Sequence, residues 1–468
     1  VAAPLASVLT RFGRDLVPAI PGRFVVPPAL RAVVLAGISE RTGRSVLGVV
    51  PGEREAEELA DDLTLFATIG KHLPAWETLP FEHVSPSIGT MADRIVARNA
   101  LEGGERSIVV ASVRAVTQRL SPTPVHPIRL ESGAEVEFDG LIWALNEFGY
   151  RRTDRVEGRG EFAVRGGIID VYPTQAAQPV RVDFWGDTVE EIRSFAVSTQ
   201  RSEHAVSEIE VFPAGEVLIS DEMRTRAAAL MDDAPWGAAT WERIVEGIRF
   251  QGIESWLPWL TPPRTILDDT EAIVVLFDPE RARDRCRDLI GEEADLATAL
   301  SGTWGKDGPA SGTHPPLYLP LEPGPDVDVL DAPPAPAGPD DDGYEMRGFG
   351  AAAGDPESVA ATITMWSGRG VDVIVAMDGH QAAGRVSRLL SESGAGLPVA
   401  DTLEHVASAV LPIGIHLGFV SPQLKVAVVG EREIAGRRRS HRTIRKGRGE
   451  RRDEAYRDLN PGDYVVHH

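Results

Sequence analysis

The 468-residue chain has one cysteine, Cys286, which excludes a disulfide framework and any thiolate-built metal site. Such sparing use of cysteine fits a reducing, cytoplasmic setting. No stretch approaches the ~20 consecutive apolar residues that a membrane-spanning helix needs. Val1 to Thr10 lack the basic-then-apolar order of a signal peptide, so neither membrane association nor export is expected. The eleven histidines are scattered, with no HExxH pattern and no pair four residues apart, so no metal is expected. There is no GxSxG elbow for a nucleophilic serine, and no pair of carboxylates is singled out by spacing. Positive charge is also scarce. Lys and Arg number 48 against 70 Asp and Glu, a net charge of −22, which makes the chain as a whole a poor ligand for nucleic acid.

What charge there is lies unevenly. Glu431 to His468 hold 11 Lys/Arg and 7 Asp/Glu, so an acidic body carrying −26 ends in a basic arm. Within the arm, Arg437, Arg438, Arg439, Arg442, Arg445 and Lys446 stand among few apolar residues, too few to form a core. The neighbours this arm calls for are DNA phosphates or the acidic body of its own chain.

Hydrophobic patterning suggests several units. Ala32–Leu35 and Ser45–Val50 are short apolar runs, so Gly37 to Ser45 reads as the first βα turn. Glu53–Phe66 has helical spacing, Thr90 and Asp93 suggest a capping box, and Ser107–Ala111 is a strand candidate. Prolines crowd at 122, 124 and 127, as at a domain junction. From Arg129 to Phe212 the pattern is strand-rich, with a hairpin turn at Gly186-Asp187. Helical texture then returns. Ala272–Phe277 reads as a strand, and Asp278-Pro279 opens a long helix. Gly302–Gly343, rich in Pro, Gly and Asp, reads as a tether or an extended wrap. A last small α/β unit has helices from Pro356 and His380 and strands at Val371–Met377 and Lys425–Val429.

Two segments bear on function. A phosphate loop requires Gly, four residues, then Gly-Lys-Ser/Thr. Gly37 and Gly43 are separated by five residues, and Arg44 precedes Ser45 where Lys is needed, so this stretch reads as an ordinary loop and no nucleotide cofactor is expected. Gly149–Arg165 is richer, with Arg151, Arg152, Arg155, Arg159 and Arg165 beside Tyr150 and Phe162. Arginine with aromatics is the composition of interface hot spots, although the same residues also suit a solvated face with internal salt bridges. Cys286, between Arg285 and Arg287, reads as one residue of an amphipathic helix.

Three segments resemble the bacterial transcription-repair coupling factor family in its N-terminal region: Trp76–Arg94, Gly149–Ser202 (with GEFAVRGGIIDVYP and VRVDFWGDTVEEIRSFAVSTQRS) and Leu459–His467. The second also resembles the repair protein UvrB. The resemblance implies an α/β fold. A RecA-like, UvrB-like domain is split over 1–118 and 214–345 around an inserted α+β UvrA-binding domain at 119–213. A small variable α/β domain follows at 346–430, then a basic linker at 431–458 and, at 459–468, the start of an RNA-polymerase-interacting domain. On this reading the chain is a fragment without the ATP-driven double-stranded-DNA translocase motor, and hence not itself an enzyme. Its partner is UvrA, while RNA polymerase and DNA are reached through the rest of the parent protein. Arg152 and Arg165 match arginine positions of the UvrB contact with UvrA, Phe162 an aromatic position, and Ala163 replaces a third arginine. Two rivals are a nucleotide hydrolase working at Gly37–Ser45 and a DNA-binding module working through the arm.

Overall fold

The computed structural model describes residues 3–123, 126–268, 270–300, 314–336 and 341–435. In the first segment, four strands, β1 (Gly22–Arg23), β2 (Val46–Val50), β3 (Gly70–Leu73) and β4 (Ile108–Ser112), alternate with helices α1 (Arg31–Thr42), α2 (Glu53–Leu63) and α3 (Ile88–Glu102). A one-turn helix, α4 (Val113–Thr117), follows. β2 and β4 are buried along their whole length, as strands covered on both faces must be. The next segment carries β5 (Ile128–Glu131), α5 (Phe138–Glu147), β6 (Arg151–Arg152), β7 (Glu161–Arg165), β8 (Ile168–Val171), β9 (Val180–Trp185), β10 (Thr188–Phe195), β11 (Ser202–Ala205) and β12 (Glu208–Val211). Helices α6 (Asp221–Asp233), α7 (Ala238–Val245), α8 (Leu257–Leu260) and α9 (Pro279–Ala299) follow, with strands β13 (Ile273–Phe277) and β14 (Val329–Ala332). The last unit holds α10 (Pro356–Gly368), β15 (Asp372–Ala376), α11 (His380–Glu392), β16 (Ala409–Leu411), β17 (Phe419–Ser421), β18 (Val426–Val429) and α12 (Glu431–Ala435).

The central sheet runs β1-β14-β13-β2-β4-β3, all parallel, so it is assembled from residues 22–112 and 273–332. The intervening chain forms its own six-stranded sheet, β11-β10-β9-β8-β7-β6, with the β12-β5 pair beside it. α5 and the β5/β12 pair cover one face of that sheet around Phe162, Ile169, Val182, Phe184 and Ile192. The last unit is a four-stranded sheet, β16-β15-β18-β17. Its helices cover one face, and the other joins the core of the first segment, with Ile374, Phe419 and Val428 packed in one cluster with Leu5, Val8 and Phe66. Arg11 pairs with Asp372 (2.6 Å), and Asp62 accepts from both the backbone N (2.8 Å) and the ring Nδ1 (2.9 Å) of His416.

Three expectations are corrected. Ala32–Leu35 is not a strand; it lies inside α1, so Gly37–Thr42 are the end of a helix and Gly43 (φ 71°) its left-handed stop. The helix near residue 90 begins earlier, with Ser87 as N-cap accepting from the Thr90 backbone N–H, so Thr90 caps nothing. The Pro-rich 302–343 stretch is more than a tether or an extended wrap outside the core, because β14 inserts into the central sheet between β1 and β13 and Leu330 is buried in the core.

Candidate functional site

The face of the six-stranded sheet away from α5 is where the arginine-rich segment meets strand β9. The β7–β8 turn, Gly166-Gly167, returns the chain so that Arg165 pairs with Ile168, and Ile168 pairs with Asp183. Side chains alternate along a strand, so Arg165, Ile168, Asp183 and Trp185 share this face. Trp185 is 79% exposed and Arg165 is exposed beside the same turn. The Trp185–Thr188 hairpin is a two-residue turn with Gly186 at φ 64°. Its tip is fixed, because the Asp187 carbonyl accepts from the Val136 N–H (2.7 Å) and its carboxylate from the Phe138 N–H (3.0 Å). The large indole therefore stands in solvent on a rigid base, a preorganised arrangement that loses little entropy on binding.

Charged pairs flank it. Arg181 grips Asp170 with both arms of its fork (2.7 and 2.9 Å) over the Phe195 ring, and these hydrogen bonds hold its guanidinium above its ordinary pKa. Arg193 pairs with Asp183 (2.5 Å). Beside the second pair a shallow cavity of about 520 Å³ is lined by Gly167, Ile168, Asp183, Phe184, Glu190, Glu191 and Arg193. Arg165 donates to the Asp154 carbonyl (2.6 Å), which leaves its charge without a carboxylate partner among the described residues. Sequence reasoning missed Trp185 and Arg181. The signal was available, since a Trp at the solvent-facing position of an alternating strand next to a Gly-Asp turn has no core role.

Of the residues named beforehand, Arg152 and Arg165 are both exposed, but they do not share a face. β6 pairs with β7 so that Arg151 is in register with Glu161, and Arg152 with Phe162. Arg151, ion-paired with Glu161, thus lies on the Arg165 side, and Arg152 on the other side at the sheet edge. Phe162 is corrected. It is fully buried in the core under α5 and cannot touch a partner. Tyr150 is buried too, its hydroxyl donating to the Phe212 carbonyl (2.8 Å). Ala163 is buried against Val156, Tyr172 and Phe195.

The Gly37–Ser45 stretch lies at the opposite ends of the strands from any βα crevice. Arg44 there pairs with Asp328 (2.5 Å) and donates to the Glu271 carbonyl (3.0 Å). The loop that follows β1 and leads into α1 is Phe24 to Leu30. Pro27 and Pro28 have no N–H to offer an anion. The N–H groups of Phe24, Val25, Val26 and Leu30 bond to Asp331, Asp342, Pro333 and Pro27. Past the ends of β2 and β13, buried Arg31 lies over the Phe277 ring and 3.7 Å from Glu55, which also takes Arg281 (2.6 Å). Burial lowers the Arg31 pKa. Cys286 is buried with its thiol pKa raised by that burial, and its Sγ lies 3.6 Å from the Leu319 carbonyl. The basic arm lies outside the described residues. Among the described residues no group of three or more His, Cys, Asp or Glu is placed to hold a metal, and no helix is long and apolar enough to cross a membrane.

The segment bearing the exposed face is rooted by a buried polar network. Where the chain returns, Glu216 accepts from Arg94 Nε (2.7 Å) and Nη2 (3.1 Å) and from Trp76 Nε1 (2.7 Å), with Arg98 3.6 Å away. Burial alone would raise the pKa of Glu216, but Arg94 and Arg98 outweigh it and hold the carboxyl below its ordinary value. Arg98 also donates to the Ser121 carbonyl (3.2 Å) on the outgoing side, and Leu218 N–H donates to Thr123 Oγ1 (2.8 Å).

Residues 128–216 match the UvrB interaction domain family. Full-chain comparison finds transcription-repair-coupling factors. That of Mycobacterium tuberculosis is 36% identical over 308 residues, covering 60% of this chain and 25% of the relative. That of Myxococcus xanthus is 28% identical over 498 residues (94% of this chain, 41% of the relative), and that of Bacillus subtilis 26% over 491 (93% and 40%). The chain thus spans well under half the length of these relatives. With the UvrB interaction domain at 128–216 and similarity across 94% of its length, the chain is related to the N-terminal region of the transcription-repair-coupling factors.

Proposed function

We propose that this chain is a non-catalytic docking region of a transcription-repair-coupling factor, and that it recruits UvrA during transcription-coupled nucleotide excision repair. On this reading the central sheet is a RecA-like scaffold split around the inserted UvrA-binding domain. Its nucleotide crevice is given over to Arg31, Glu55 and Arg281, so it neither binds nor hydrolyses ATP. RNA polymerase and double-stranded DNA would be partners of the wider protein, whose relatives are coupling factors by name.

The observation that carries the reading is the exposure of both Arg165 and Trp185 on one solvent-facing surface of the segment that matches the UvrB interaction domain. Arg165 supplies charge and Trp185 an apolar anchor, while Arg152 stands at the sheet edge on the opposite side. An indole that buries about 150 Å² on contact contributes at most about 4 kcal/mol at ~25 cal/mol/Å². The test is a calorimetric titration of purified UvrA with the chain and its variants. Trp185→Ala and Arg165→Ala should each weaken binding by about 1–3 kcal/mol with unchanged melting, and Arg152→Ala by less. If UvrA binds both variants as tightly as the parent chain, the face is wrongly assigned.

A further inference from the structure

The amino ends of β3 and β4, in the central sheet, border a cavity of about 550 Å³, within the ~300–1,000 Å³ typical of small-ligand sites. Its floor is Leu9, Ala36, Phe66 and Ile108, all buried members of the apolar cluster that joins the first segment to the last unit. Its walls come from a 3₁₀ helix (Ala6–Arg11), the end of α1 and the connection from α2 to β3. Hydrogen bonds fix these walls to one another. Arg41, on α1, donates from Nη2 to the Leu9 carbonyl (2.7 Å) and from Nε to the Phe12 carbonyl (2.5 Å). Leu5 N–H donates to the Leu65 carbonyl (2.7 Å). The space is therefore preformed, and a ligand entering it need not order its surroundings.

The polar groups of the lining point to the kind of ligand. Its ionisable side chains are Arg41, Arg106 and Glu40, a local charge of +1 in a chain of −22. Arg41 makes no ion pair among the described residues. Arg106, just before β4, donates through Nη1 alone, to Glu40 (2.7 Å) and to the Ser39 carbonyl (3.4 Å). Its Nε and Nη2 make no hydrogen bond among the described residues, and neither does the hydroxyl of Thr68, which also lines the cavity. Nε–H and Nη2–H lie along one edge of the planar fork, the edge that takes both oxygens of a carboxylate. Glu40 is half-exposed, so water and salt screen its repulsion of a second carboxylate. We infer that this cavity binds a small monocarboxylic acid with an apolar body, its carboxylate on Arg106 and its body over Phe66 and Ile108. The cavity lies at the central sheet and the Arg165–Trp185 face on the six-stranded sheet, so acid binding and UvrA binding should fail independently.

The test is a calorimetric titration of the full chain with octanoate, 1-octanol and acetate, which offer body and head together, the body alone and the head alone. Octanoate should bind saturably, and octanol and acetate at least about tenfold more weakly. Arg106→Gln should weaken octanoate about tenfold, as loss of a charge-assisted bidentate contact does, and leave octanol unchanged. Ala67→Leu fills part of the cavity and should weaken both octanoate and octanol about tenfold. Thermal melting checks that each variant folds. Thr68→Val keeps the side-chain shape, should weaken octanoate about threefold, and serves if either of the others does not fold. No saturable octanoate binding up to about 10 mM overturns the inference. Equal affinity for octanoate and octanol overturns it as well, as does octanoate binding unchanged in every variant that folds.

Discussion

Replacing Glu216 by Gln keeps the shape of the side chain and removes its charge. Two guanidiniums, those of Arg94 and Arg98, are 2% and 4% exposed and share this carboxylate. Breaking a buried ion pair from one side costs about 3–5 kcal/mol, because the remaining charge is left in a medium that cannot solvate it. The Gln amide oxygen still accepts one N–H, which offsets about 1 kcal/mol, and Arg98 keeps Ser121. The expected loss is therefore about 2–4 kcal/mol at pH 7. Urea denaturation followed by tryptophan emission gives the difference, with Trp76 a direct reporter because its indole donates to Glu216. The pH dependence supplies a second arm. The folded pKa of Glu216 is depressed, so its contribution is fully present above the unfolded carboxylate value and is lost as the pH falls through the folded one. The gap between parent and variant should narrow in acid. A loss below about 1 kcal/mol at pH 7, or a gap that stays constant down to pH 3, would refute the account of Glu216 as a buried counter-charge.

The chain should show no ATP binding at micromolar concentrations by calorimetry; saturable binding abolished by Arg31→Ala would contradict the closed crevice. Cys286 should react with a thiol reagent only on unfolding, and fast modification of native protein at pH 8 would show that it is not buried. Asp62→Ala removes an acceptor for two His416 donors and should cost about 1–3 kcal/mol, measured by denaturation. An unchanged midpoint would mean that the Asp62–His416 contact does not help to hold the last unit.

Apolar period alone made much of the fold legible. The apolar runs Ser45–Val50, Ser107–Ala111 and Ala272–Phe277 stood out, and β2, β4 and β13 lie within a residue of them, because a parallel sheet covered on both faces needs unbroken apolar runs. The same rule misled at Ala32–Leu35, because a buried helix is also apolar on consecutive residues, and only its length, to Thr42, distinguishes it. The strand at Val329–Ala332 was hidden by the surrounding Pro and Asp, since four residues give too short a period to stand out. On the Arg165–Trp185 face, composition located the segment but not its members. Phe162 and Tyr150 read as interface aromatics because they neighbour arginines in sequence, whereas alternation along β7 turns Phe162 inward and Arg165 outward. The partner of Arg165 on that surface is 20 positions away in sequence, and only the β8–β9 register brings it near.

The two ends of the 128–216 segment run side by side: Ile128–Glu131 pairs antiparallel with Glu208–Val211, and Thr123 and Leu218 touch. A stretch whose ends meet can be cut out of one gene and set into a surface loop of another without stretching either host or guest. That geometry makes the segment a transferable cassette, one that a single insertion event could place in another host. It also suggests an engineering route: residues 126–214, closed by a short Gly-Ser linker, should fold in isolation and carry the Arg165–Trp185 surface with them.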